Sequence, residues 1–348
     1  MSDTKRYPMQ FTGTGGEYFV IWIVNIALTL LTLGIYSAWA KVRTLRWFYG
    51  HTLLDDRAFS YLASPIQVLK GRLIALAALV TYYATSYFAP SLAGLLLIAF
   101  FIALPWIVVS SLRFHARMSA YRGLRFDFTG TVGEAARIYI GLQLLLIPTL
   151  GLILPYLAYR QVKFIASHTV YGQTAARYRG TARPFVGVYL LSFVLILLPI
   201  AVIAYGAYQM YVMRAAGVPP EAATAALGGF MLAGMILFYL MIPVISAVVM
   251  ARTANLLYNA TELGPVGFAS GQRARDLIWI YLSNLVLIAL TLGIFIPWAK
   301  VRLARYRAGR LTVVGPADLG QFAAGQQQSS TATGAEMADL FDLNIALT

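Results

Sequence analysis

Seven apolar runs, near residues 18–40, 66–89, 92–112, 136–159, 185–213, 228–251 and 277–299, are long enough for membrane crossing to be considered. A hydrocarbon core of ~30 Å takes ~20 apolar residues in a helix. Inside such a core every backbone N–H and C=O must find a partner within the protein. These runs therefore predict a polytopic, all-α integral membrane protein. Composition agrees: 59% of the 348 residues are hydrophobic and 11% are charged, with a mean hydropathy of +0.71. Soluble domains carry about 25% charged residues. The chain has no cysteine, which excludes disulfides, thiolate metal sites and cysteine nucleophiles.

The net charge is +14, and its placement matters more than its size. Segment 41–72 holds six Lys or Arg, and 113–137, 160–183 and 300–310 hold five each. The link 89–93 holds no charge, and 214–227 holds only Arg214 and Glu221. Lys and Arg concentrate in cytoplasmic loops, where they also meet anionic headgroups. The helix pairs 66–112 and 185–251 are thus expected to leave the cytoplasm and return to it, with the C-terminus cytoplasmic. No nucleic-acid motif accompanies the charge.

The chain also repeats itself. Segment 32-TLGIYSAWAKVR-43 returns as 291-TLGIFIPWAKVR-302, nine of twelve positions identical. Ala38-Trp39-Ala40 has the small-x-small form of a signal-peptidase site, but the second copy and the long apolar run argue against cleavage. A shift of 117 residues carries Phe11, Gly13, Glu17, Gly34 and His51 onto Phe128, Gly130, Glu134, Gly151 and His168. A shift of 259 carries Asn25, Gly34, Trp39, Lys41, Arg43 and Arg46 onto Asn284, Gly293, Trp298, Lys300, Arg302 and Arg305. The expected organisation is a helical bundle of unit, pair, unit, pair, unit. Its units lie at about 11–61, 128–178 and 270–312, joined by short cytoplasmic hairpin-like segments such as 52–61 and 121–130. The whole membrane domain spans 1–315. Residues 316–348 read as a disordered cytoplasmic tail, with a possible acidic amphipathic helix at 335–347.

Two topologies fit each unit. In one, the apolar helix bends at Thr-Leu-Gly into a broken hairpin, with Gly34, Gly151 and Gly293 ending its first limb and Pro148, Pro155 and Pro297 supporting the break. A full return of that hairpin would draw Lys41, Arg43 and Arg46 into the membrane. In the other, each unit is one span and the units alternate in orientation, as inverted repeats do.

The candidate functional residues follow from the repeats. Lys41, Arg43 and Arg46, their copies Lys300, Arg302 and Arg305, and the middle pair Arg160 and Lys163 are candidate ligands for an anionic lipid headgroup or anionic solute. The simpler role for these charges, with Trp39 and Trp298 just ahead, is an interfacial anchor. Asn25 and Asn284, with Gln143 one position off the middle equivalent, are intramembrane polar groups that either join helices or line a polar path. Thr14-x-x-Glu17 and Thr131-x-x-Glu134 are capping boxes. No P-loop Lys-Ser/Thr follows Gly13–Gly16, so a cap is favoured there over a phosphate cradle. His51 and His168 have no metal-ligand spacing around them, so no metal or cofactor is expected. No nucleophile triad or intramembrane carboxylate pair marks an enzyme.

The F-x-G-T-G-x-x-Y-F segment at 11–19, the LGIY-x-x-WA-x-x-R segment at 33–43 and their return near the C-terminus resemble the YjgN-like family. These are bacterial inner-membrane proteins classed as a domain of unknown function. The resemblance covers residues 10–315. The middle unit departs from it, with Tyr156 for the Trp and Ala158 for the Lys. It implies an inner-membrane location, and a membrane-associated metallopeptidase as a conceivable protein partner. Two functions result: handling or transport of an anionic lipid or solute at the basic clusters, or a scaffold that binds a protein at the cytoplasmic face.

Overall fold

The computed structural model describes residues 4–320, 323 and 325. It divides into two compact units. The first comprises residues up to Gly180, Leu257–Gly271 and those from Ile296 onward; the second comprises Thr181–Leu256 and Gln272–Phe295.

The first unit is not all-α. It contains an eleven-stranded sheet, in which every pairing is antiparallel. At its two ends are β1 (Thr4–Pro8) and β2 (Gln10–Phe11), halves of one stretch broken only at Met9. β1 pairs with β11 (Leu311–Pro316), and β2 pairs with β3 (Thr52–Leu54). The sheet thus curls round to meet itself as a barrel. The expected all-α bundle with isolated hairpin-like segments is overturned by this sheet. Its strands are individually too short to be stable. They persist because β3 to β11 each find a neighbour on both sides and β1 and β2 together close the ring, which also reduces the exposed edges that an open sheet leaves.

Five repeats, rather than three units and two pairs, build the chain. Each is two helical limbs followed by a β-hairpin. The first is α1 (Gly15–Leu31), α2 (Ser37–Gly50), β3 and β4 (Arg57–Tyr61); the second is α3 (Pro65–Phe88), α4 (Pro90–Arg117), β5 (Ser119–Tyr121) and β6 (Leu124–Phe128). The third has a first limb of α5 (Val132–Ala136), a π turn at Arg137–Gly141 and α6 (Leu142–Leu144), then α7 (Leu154–Ser167), β7 (Thr169–Tyr171) and β8 (Thr174–Tyr178). The fourth is α8 (Arg183–Ala215), α9 (Pro220–Asn259), β9 (Thr261–Leu263) and β10 (Val266–Ser270). The fifth is α10 (Ala274–Leu290), α11 (Ile296–Gly309) and β11, whose hairpin partner is β1 from the other end of the chain.

The same hydrogen bonds recur at each repeat. The N–H groups of Thr12, Leu62, Thr129, Arg179 and Gly271 donate to the carbonyls of His51, Met118, His168, Ala260 and Arg310 at 2.8–3.0 Å. The hydroxyls of Thr52, Ser119, Thr169 and Thr261 donate to the carbonyl four residues back at 2.6–2.8 Å, satisfying a helix C-terminus as the strand begins. Phe11-x-Gly13 and Phe128-x-Gly130 have their glycines because the aromatic rings lie where a β-carbon would project. The barrel's buried interior is apolar, with Tyr7, Leu54, Tyr121, Tyr171, Val266 and Val313 among its residues. Burial, and then the neighbouring Tyr121, push the Tyr171 hydroxyl up to about 12.

Four helices, α3, α4, α8 and α9, are long and apolar enough to cross a membrane. The apolar limb α1, at 17 residues, is ~26 Å long, short of a hydrocarbon core. It reverses into α2: Asn25 Nδ2 reaches the Ala40 carbonyl at 3.4 Å. Because β2 pairs with β3 and β6 pairs with β7, the first and third repeats leave the sheet and come back to it. Single spans of alternating orientation are incompatible with those pairings. The reversal between α1 and α2 is also tied to α3. Ser37, at the start of α2, is hydrogen-bonded by Arg72, the last charge of α3 before its uncharged run 73–88.

Thr-Leu-Gly is the reversal itself. Thr32, Thr149 and Thr291 donate to the carbonyl four residues back at 2.6–2.7 Å. Thr32 and Thr291 also accept from the N–H of Tyr36 and Phe295 at 2.9 and 3.0 Å. Leu33, Leu150 and Leu292 are left-handed at φ 48°, 50° and 50°. Gly34, Gly151 and Gly293 follow at φ 93°, 81° and 92°, each N–H bonding the carbonyl five back at 2.8 Å. This is the six-to-one bond that ends many helices. Pro148 stops α6 four residues early, where its ring would meet the carbonyl at Leu144. Pro155 and Pro297 occupy the second position of α7 and α11, where a missing N–H is no loss.

In the second unit, α8 and α9 approach through small residues. Gly206 lies against Phe230, and Gly234 lies against Ile203. In the first unit, Leu319 and Ala323, within the stretch expected to be a tail, are buried against the barrel interior. The acidic stretch 335–347 lies outside the described residues.

Replacing Thr32 with Val removes one donor and leaves the Tyr36 N–H without its acceptor. The expected cost is about 1–2 kcal/mol, read as earlier thermal unfolding of the purified protein. A melting curve matching the parent's would show that the hydroxyl does not hold the reversal.

Candidate functional site

α1 packs against both α2 and α11. That neighbourhood holds a groove of about 520 Å³. Its apolar lining comes from Trp22, Ile26 and Leu30 of α1 and Leu45 of α2. Its cations are Lys41 of α2, Arg72 of α3 and Lys300 of α11. Asn25, Thr29, Ser37 and Thr44 add an amide and hydroxyls, and no described lining residue is acidic. Lys300 Nζ sits 6.0 Å from the centre of the Tyr18 ring, and Arg72 is held by its bond to Ser37. Asn25 is 6% exposed, and its Oδ1 has no hydrogen-bond partner among the protein atoms. Three cations beside an apolar wall suit an anion that also carries an apolar part.

The predicted basic clusters separate into different roles. Lys41 and Lys300 come together because the fifth repeat closes the ring onto the first. Arg43 and Arg302 lie two residues further on, ~200° round their helices; Arg43 is exposed and Arg302 is half-buried. Arg46 and Arg305 are structural. Arg46 donates to the Ala63 carbonyl and Arg305 to the Gly13 carbonyl, each at 2.9 Å. Arg113 and Asn255, at the same place in their repeats, bond the carbonyls of Gly130 and Gln272 at 3.4 and 2.8 Å. The middle cluster is not in the groove. Arg160 donates to the Tyr156 hydroxyl at 3.2 Å, and Lys163 lies 6.0 Å from the Tyr159 ring. The position equivalent to Lys41 is Ala158, which is buried.

The other predicted residues divide similarly. Trp39 stacks on Tyr36 at 6.2 Å, while Trp298 packs on Phe19 at 5.1 Å and covers Gly15. Asn284 is buried in the second unit, but Gln143 is exposed and shares neither environment. Gly34, Gly151 and Gly293 form the tips described above. His51 and His168 are tied by Nδ1 to the Trp47 and Phe164 carbonyls at 2.7 and 2.9 Å. Their Nε2 atoms face Glu17 and Glu134 at 3.9 and 3.3 Å, beside the Thr14 capping box and the Thr131 cap, whose Glu134 does not complete a box. Arg72 was not singled out by sequence reasoning. Its only signal is that it is the last charge ahead of an apolar run.

A family model described as "Bacterial protein of unknown function (DUF898)" matches residues 6–340. The chain is 27% identical over 362 aligned residues to the inner membrane protein YjgN of Salmonella typhimurium (strain LT2), covering 91% of this chain and 90% of that protein. It is 32% identical over 130 residues to the inner membrane protein YjgN of Escherichia coli O157:H7, and 30% identical over 135 residues to that of strain K12. Each of these covers 36% of this chain and 32% of the relative. No solved structure matches.

Arg305→Ala and Lys300→Ala, five residues apart on one helix, should behave differently. The arginine variant loses a charge-assisted bond to a carbonyl and should cost about 1.5–3 kcal/mol. The lysine variant should stay within about 0.5 kcal/mol. Thermal unfolding of the two proteins side by side decides the matter. Equal losses would contradict the division of roles.

Proposed function

Because this chain belongs to the DUF898 family, whose relatives carry the name inner membrane protein YjgN, we propose that it is a multi-pass inner-membrane protein that holds an anionic phospholipid headgroup at the cytoplasmic leaflet. The observation that carries this reading is the convergence of Lys41, Arg72 and Lys300 on one groove with an apolar lining. Tyr18, Trp22 and Leu30 give an acyl chain a surface to follow, and the cations give its phosphate a seat. Each Lys or Arg near an anionic surface contributes about 1 kcal/mol, so three together are worth on the order of a hundredfold in affinity.

The orientation belongs to the same proposal. Arg57, Arg122, Arg125 and Arg177 lie on the strands and turns of the barrel, which the distribution of Lys and Arg assigns to the cytoplasm. β1 and β11 then lie on that side together, since they are paired. Alkaline phosphatase fused ahead of β1 should be inactive in cells. Periplasmic activity there would reverse the orientation.

Native mass spectrometry of the intact protein, incubated with phosphatidylglycerol, phosphatidylcholine or inorganic phosphate, tests the ligand. The parent should retain phosphatidylglycerol over phosphatidylcholine. The triple variant Lys41→Ala, Arg72→Ala, Lys300→Ala should lose at least tenfold of it, while Arg43→Ala keeps it and both unfold as the parent does. Retention of inorganic phosphate alone would reassign the groove to a soluble anion. Undiminished lipid in the triple variant, with loss of a co-purifying protein, would favour the scaffold instead.

A further inference from the structure

The barrel interior is a separate site. Eight strands already enclose an interior that side chains just fill or that holds one small ligand. Here the sheet has eleven strand segments, and its side chains leave a cavity of about 350 Å³. Phe59, Phe126 and Phe268 line it with Tyr121 and Tyr171. Phe59 stacks on Tyr121 at 4.8 Å, and Phe126 meets Tyr171 at 5.0 Å. The tyrosine hydroxyls are engaged by backbone. Tyr121 donates to the Leu54 carbonyl at 2.8 Å, and Tyr171 donates to the Tyr121 carbonyl at 3.0 Å. Tyr7 is placed against the carbonyls of Pro316 and Ala317 at 2.8 and 2.7 Å.

A buried water requires two to four polar partners, whereas aliphatic and aromatic cavities of ~150 Å³ stay dry and take up benzene. A space more than twice that size, with the Tyr121 and Tyr171 hydroxyls committed to the wall, Tyr258 as its remaining polar side chain and no charged residue in its described lining, favours an uncharged, mostly apolar guest. Leu319 and Ala323, just beyond β11, contribute to its lining and add no polar side chain. We propose that the lumen is a binding site for one uncharged hydrocarbon chain, independent of the cationic groove.

The test uses the full chain reconstituted in lipid bilayers with a hexadecanol carrying a mid-chain diazirine. After photolysis, cross-linked peptides are mapped by mass spectrometry. Adducts are expected on the peptides of β4, β6 and β10, which carry Phe59, Phe126 and Phe268, besides those on the membrane helices. Val313→Trp, or the milder Leu263→Phe if the first does not fold, occupies the lumen. It should reduce the strand adducts at least tenfold and leave the helix adducts unchanged. Labelling confined to the helices of the folded parent overturns the proposal. So does a folded, lumen-filled variant whose strands label as strongly as the parent's.

Discussion

The backbone pairing of residues 4–8 with 312–316, and of residues 10–11 with 52–53, joins the two ends of the chain. Strands of three to five residues hold few ladder bonds and do not survive as an open sheet. Within each of the first four repeats the hairpin closes locally. Asp55 and Asp56, and Arg122 and Gly123, take positive φ at the tight turns of two of them. Between repeats, strands meet only after two intervening helical limbs. The final pairing, of β1 with β11, spans nearly the whole chain. The entropy of closing a loop grows only logarithmically with its length. Most of that long closure's cost is therefore offset by one strand's worth of bonds once the other repeats have assembled.

Closure by repetition explains why some of the charges are engaged by backbone carbonyls. A carbonyl stands at the start of four of the five repeats, at Gly13, Ala63, Gly130 and Gln272, and a side chain from the preceding repeat donates to it: Arg305, Arg46, Arg113 and Asn255. Buried carbonyls need donors, and an arginine or an asparagine serves equally. The Lys-x-Arg-x-x-Arg spacing therefore joins two requirements in one helix. Its last arginine holds the ring, and its lysine faces the groove. The third repeat, with Ala158 at the lysine position, retains the fold without the groove's charge.

The helices and their ends were legible because their signals are local and long. The apolar runs, the Thr14–Glu17 capping box and the Leu-Gly reversals stand in the positions where the sequence places them. The segments 52–61 and 121–130 were legible as hairpin-like, but their joining into a barrel was not. Ser-Ala-Tyr and Thr-Glu-Leu are too short for alternation to register. The strand partner of β11 lies at the opposite terminus. The fivefold repeat was hidden for a related reason. The second repeat turns at Ala89-Pro90 and the fourth near Gly217, so neither carries the Thr-Leu-Gly signature that exposed the other three. Arg72 escaped notice because it belongs to no motif, and its role comes from a hairpin tip 35 residues away.

The reversals also carry a conformational cost that their surroundings must offset. A leucine in the left-handed region costs roughly 1–2 kcal/mol, and Leu33, Leu150 and Leu292 adopt it while 94%, 88% and 94% exposed. In water that arrangement would add strain and gain nothing. In hydrocarbon each leucine recovers about 1.5–3 kcal/mol, enough to outweigh the strain. The left-handed leucines are therefore favoured where a reversal meets apolar surroundings. Lys41 lies four residues beyond Ser37, ~6 Å along the helix axis. An anion that touches both Lys41 and Arg72 therefore sits within about one helical turn of the first reversal.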